Sequence, residues 1–90
     1  MNFYRIVDTA QESRPGYLAR FECTLDEAHG YAKLTPKVSW SDIRIELGDI
    51  PTQKADVCAI LNHEMLEKIT ALRTWRLTQR GGLIECENGQ

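Results

Sequence analysis

Residues 51–72, PTQKADVCAILNHEMLEKITAL, are the longest stretch with a helical period, and the shorter strand-like runs around it need a cover. At about 100° per residue, Ala55, Cys58, Leu61, Met65, Leu66, Ile69 and Leu72 share one broad face, with Asp56, His63, Glu64 and Glu67 opposite. Thr52 stands where an N-cap is expected, beside Pro51. Ile60 points away from the apolar face and Asn62 into it, so each is assigned to a packing detail or an interface.

The remaining elements follow from shorter patterns. Residues 2–8 alternate and are rich in aromatic and β-branched types, a strand. A polar loop over 9–16 leads to a second strand over 17–23, with Tyr17, Ala19, Phe21 and Cys23 on one face. Thr24 and Glu27 form a capping box that opens a helix of about ten residues, ended by Pro36. Leu25, Ala28, Tyr31 and Ala32 would face the core, and Gly30 weakens this helix. Residues 38–41 read as a connection, and 42–47 as a strand with Ile43, Ile45 and Leu47 inward. The chain ends in a hairpin around a two-residue Gly81-Gly82 turn, which pairs Leu77 with Cys86, Gln79 with Ile84 and Arg76 with Glu87. Trp75, Leu77, Ile84 and Cys86 would share its inner face, and 87–90 would fray.

The order ββαβαββ within 90 residues predicts one α+β domain spanning 1–90. The expected architecture is a two-layer sandwich: a mainly antiparallel sheet of four or five strands with both helices on one face, and a βαβ crossover supplying one parallel pair. No apolar run reaches the ~18 residues of a membrane span, and no signal peptide is read at the N-terminus. Three dispersed cysteines, Cys23, Cys58 and Cys86, do not make a disulfide framework; buried free thiols in a reducing cytoplasm are expected.

Chemistry is weakly signalled. Cys23, His29, Cys58, His63 and Cys86 are too dispersed for a metal site, and His63 with Glu67 supplies at most two corners of one. Cys23, next to a helix start, is the best placed thiol for nucleophilic work, but it lies on the apolar side of its strand. Gly81-Gly82 precedes a strand, so it is a turn and not a phosphate cradle. Ser39, Ser41, His29 and Asp42 have no spacing that supports a triad. The expectation is therefore no enzyme, no cofactor and no metal, and no stretch carries a family motif.

Charge is the remaining guide. The net charge of −2 argues against general affinity for nucleic acid. The first half is acidic, and Glu22, Asp26 and Glu27 are the expected contacts with a protein partner. The leading expectation is a non-catalytic protein-binding module, a modulator or inhibitor of a larger protein or nucleoprotein assembly, or a homodimer through an open sheet edge. Inhibitors encoded by phages and mobile elements, such as anti-CRISPR proteins, offer an analogy of size and charge only. The alternative is an accessory nucleic-acid-binding protein that uses Arg73, Trp75, Arg76 and Arg80, since residues 68–80 carry four cations, an aromatic and no acid.

Overall fold

In the computed structural model, which describes residues 1–12, 14, 15, 19–62 and 70–86, the chain builds an α+β fold on one open antiparallel sheet. The elements are β1 (Asn2–Asp8), β2 (Arg20–Glu22), α1 (Leu25–Lys33), a 3₁₀ helix (Lys37–Asp42), β3 (Ile43–Asp49), α2 (Lys54–Leu61), β4 (Thr70–Leu77) and β5 (Leu83–Cys86). In space the strands run β2-β1-β3-β4-β5, and every neighbouring pair is antiparallel. β2 and β3 are parallel to each other, but β1 lies between them. The crossover through α1 therefore supplies no bonded parallel pair among the described residues. The connection expected at 38–41 is a 3₁₀ helix.

β1 decides where the helices go. Its sequence is apolar on both faces: Tyr4 and Ile6 point one way, Phe3 and Val7 the other. On the first face, Ile6, Ile43, Ile45, Trp75 and Leu77 bury against Ala28 and Ala32 of α1, with Tyr4, Leu25, Trp40, Leu47 and Leu83 at the margin. On the second, Ile50 and Ile60 pack with Phe3 and Phe21. The two helices thus cover opposite faces, which corrects the expectation that both share one. A strand apolar on alternate and intervening residues needs cover on both sides.

α1 starts as its capping box predicts. The Glu27 amide donates to Thr24 Oγ1 (3.1 Å), and the Thr24 hydroxyl donates to Glu27 Oε1 (3.0 Å). Ala28 and Ala32 are fully buried, so the small side chains bring the helix close to the sheet. Tyr31, expected in the core, is 37% exposed, with the Arg20 guanidinium 4.8 Å above its ring.

The helix expected over 51–72 is shorter and turned. α2 ends at Leu61, with Asn62 as an exposed C-cap whose amide donates to Cys58 O (2.9 Å). Gln53, not Thr52, is the N-cap, and its side chain makes no capping bond. Ala55 and Cys58 are exposed, whereas Ile60, expected to point away from the core, is its buried anchor. Val57 and Ile60, three apart, define the face of so short a helix. The expected stripe rests on residues further on. Of these, Met65, Leu66 and Ile69 lie outside the described residues, and Leu72 belongs to β4. There, pairing of Thr70 with Asp49 and of Ala71 with Gly48 overrides the helical period.

The β4–β5 hairpin forms, but with a different turn. Gly81 takes a positive φ of 85°, and its amide donates to Thr78 O (3.0 Å), while Thr78 N donates to Gly82 O (2.8 Å). This three-residue loop with a left-handed glycine pairs Leu77 with Leu83, Arg76 with Ile84, Trp75 with Glu85 and Thr74 with Cys86. Relative to the expected register the slip is three residues. Being odd, it sends Ile84 and Cys86 to the face away from Trp75. The tip is held by His29, whose Nε2 lies 2.5 Å from Gly81 O.

Two glycines should respond oppositely to alanine. At Gly81 a Cβ would be strained by the positive φ and would lie 3.2 Å from the Trp40 ring. Gly81→Ala should cost about 1–2 kcal/mol. Gly30 is helical with nothing within 4 Å of such a Cβ, so Gly30→Ala should add about 0.5–1 kcal/mol. Urea midpoints of the two variants check both signs.

Candidate functional site

The face turned away from α1 carries two polar rows that cross the sheet. In the first, Arg5 is directly opposite Glu46, between Phe21 and Thr74. Arg5 Nε and Nη2 both donate to Glu46 Oε1, Nε at 3.0 Å, and both side chains are largely shielded from solvent. In the second row the order is Val7, Arg44, Arg76, Ile84. Two arginines are therefore direct cross-strand neighbours, where like charges destabilise a sheet. Arg44 Nη1 donates to the carbonyls of Ser41 (2.8 Å) and Ile43 (2.9 Å). Neither arginine forms an ion pair among the described residues. Glu46, two residues from Arg44 on the same face, is already held by Arg5.

At the ends of β3 and β4 that carry this pair, the 3₁₀ helix and the start of the hairpin loop border a cleft of about 430 Å³. The 3₁₀ helix contributes Lys37, Trp40 and Ser41 to its lining, β3 contributes Arg44, and β4 with the hairpin loop contributes Arg76, Leu77, Thr78 and Gln79. Lys37 Nζ stands 5.8 Å from the Trp40 ring centre. Trp40 is fixed by its indole N–H, which donates to Thr35 O (3.1 Å). Among the described residues three cations line this cleft and no carboxylate does. A second hollow, about 230 Å³, lies between α2 and β1; its lining of Met1, Phe3, Phe21, Ile50, Val57 and Ile60 is wholly apolar.

The structure divides the cationic set expected in the terminal hairpin. Trp75 is 6% exposed, its ring 5.8 Å from that of Tyr4. Arg73 lies 4.9 Å over Trp75 and binds Glu85, with Nε 3.0 Å from Oε2. Hydrogen bonding and charge from Glu85 raise the Arg73 pKa, and the same hydrogen bond lowers that of Glu85. Arg76 is on the opposite face, and Arg80 is exposed at the tip. Arg73, Trp75, Arg76 and Arg80 therefore present no common surface, and Arg76 instead joins Arg44 and Lys37. Sequence reading missed those two because nothing local ties them to residue 76. The outward placement of Arg44 on its strand was the available signal, and it needed the β3–β4 neighbourhood to acquire meaning.

The acidic set lies where Glu22 is opposite Tyr4 and α1 begins. Glu22 Oε1 accepts from Arg20 Nε at 2.8 Å, which raises the Arg20 pKa. Glu27 serves the helix cap, and Asp26 is exposed in the first turn. Cys23 and Cys58 are exposed and Cys86 half-buried, which corrects the expectation of buried thiols. His63 and Glu67 lie outside the described residues. Among the described ones no three His, Cys, Asp or Glu side chains converge as a metal would require. No helix among them is long and apolar enough to cross a membrane.

Comparison of the chain with protein-family models, with curated proteins and with solved structures gave no match.

The Arg73–Glu85 pair predicts a pH signature. Because the folded pKa of Glu85 is depressed, its contribution to stability is fully present above the ordinary carboxylate value of about 4.3 and is lost as pH falls through the lower folded value. Glu85→Gln should therefore be less stable than the parent at pH 7, and the gap should close in acid. Urea midpoints of both proteins across that range read the effect.

Proposed function

We propose that the chain is a non-catalytic protein-binding module, a small modulator or inhibitor of a larger protein or nucleoprotein assembly, comparable to the inhibitors that phages and mobile elements encode by analogy of size and charge only. The observation that carries the reading is the presence of two local charge clusters on one small sheet. Glu22, Asp26 and Glu27 gather where α1 begins, and Lys37, Arg44 and Arg76 gather at the cleft. On a chain of net charge −2, such clusters orient the molecule on a partner and speed the encounter. Glu22 and Glu27 are ordered by Arg20 and Thr24, so little side-chain freedom is lost when they meet a basic surface. The partner surface at the acidic cluster is a basic protein patch, including one that would otherwise bind nucleic acid. Three unpaired thiols suit work in the cytoplasm. A second copy of the chain is the alternative partner, favoured by the open β5 edge, where Ile84 is 44% exposed.

The test is a tagged pull-down from host lysate treated with nuclease, made with the parent and with an Asp26→Lys, Glu27→Gln variant. The glutamine keeps the reach needed at the helix cap. A stoichiometric protein captured by the parent and weakened about ten-fold or more in the variant is expected. Capture that vanishes with nuclease would overturn the module reading. Capture that ignores the substitutions would overturn the acidic placement, and sedimentation shows whether the only partner is a second copy.

A further inference from the structure

We propose that the cleft lined by Arg44 and Arg76 is a phosphate site that takes a nucleotide unit, either free or within a single strand. The first argument is the row itself. Arg44 and Arg76 are directly opposed, with no acid paired to either among the described residues, although Glu46 lies on the same face and is engaged by Arg5. Like charges in that relation cost stability until an anion sits between them. Any such anion is bound in preference by the folded state and stabilises it. The second argument is geometry. Arg44 is braced by two backbone carbonyls through one nitrogen, Nη1, leaving its other donors available, and Arg76 is exposed. Two guanidinium forks on one face suit the several oxygens of a phosphate ester.

The third argument concerns size and lining. A cleft of about 430 Å³ is of the size that small organic ligands occupy, and it exceeds what a bare phosphate needs. Beside the cations it offers the hydroxyls of Ser41 and Thr78, the Gln79 amide and a wall formed by Trp40. These groups can bond a sugar or a base edge and cover an apolar ring face. Lys37 at the rim brings the cations to three. The site depends on a local patch and not on the acidic chain as a whole, so its salt response should be shallow: about −2 in log K against log salt for a single strand.

The probe is a short fluorescein-labelled oligothymidylate, read by anisotropy on the full chain, with adenosine monophosphate and inorganic phosphate as competitors. Arg44→Gln and Arg76→Gln should each weaken binding about ten-fold or more. Arg73→Gln, whose arginine is occupied by Glu85, should leave it unchanged. Arg76→Gln should also reduce the salt slope by about one. Without ligand its thermal midpoint should equal or exceed that of the parent, because a like-charge contact is gone, and this keeps loss of binding apart from loss of fold. Competition by the mononucleotide identifies a free nucleotide as the ligand, and binding of the oligomer without such competition identifies the strand. No binding of either by the parent, competition by inorganic phosphate as strong as by the nucleotide, or equal effects of all three substitutions would overturn the proposal. The acidic cluster is untouched by these variants, so the outcome is independent of the pull-down.

Discussion

The fold depends on burying both sides of β1. Phe3, Tyr4, Ile6 and Val7 leave that strand no solvated face, so cover must come from both directions. α1 supplies it on one side with Ala28 and Ala32, and Ile50 and Ile60 supply it on the other, over Phe3 and Phe21. Fully burying one large aliphatic side chain contributes about 1.5–3 kcal/mol. Ile6, Ile43 and Ile45, each almost inaccessible, make the α1 side the larger share of the core.

Within that apolar setting the Arg5–Glu46 pair has a different role. It crosses from β1 to β3 with both side chains mostly shielded. Such pairs add little net stability compared with well-packed apolar residues, but separating them leaves a shielded charge without a partner. A slip of β1 against β3 by one residue would turn Arg5 towards Ala28 and Ala32 and Ile6 towards the polar rows. The pair thereby discriminates between registers that the apolar residues of β1, present on both faces, separate poorly.

Local signals in the sequence were legible where one or two residues decide the outcome. The Thr24–Glu27 cap, the strand over 2–8 and the β4–β5 hairpin are all present, and the element order ββαβαββ matches the described elements apart from the added 3₁₀ helix. What was not legible depends on partners distant in the chain. The period over 51–72 spans α2 and the beginning of β4, and only the ladder with β3 shows that Thr70–Leu72 are extended. The hairpin register turned on whether its loop held two residues or three, and the packing of Gly81 on Trp40 and His29 goes with the latter. The cationic cleft is half visible in the sequence: Arg76 stands in a run of cations, but its neighbours Arg44 and Lys37 come from another strand and a 3₁₀ helix that periodicity does not reveal.

The strands of this sheet can join it in the order in which they are synthesised. β1 emerges first, β2 pairs with one of its edges, β3 takes the other, and β4 and β5 then extend the sheet in a single direction. No later strand has to insert between two that have already paired. Each exposed edge is temporary except the last on either side, and those two belong to the shortest strands, three residues in β2 and four in β5. A nascent chain built this way closes each interior edge as the next strand arrives, and among the described residues the strands left at the two outer edges are the shortest of the sheet.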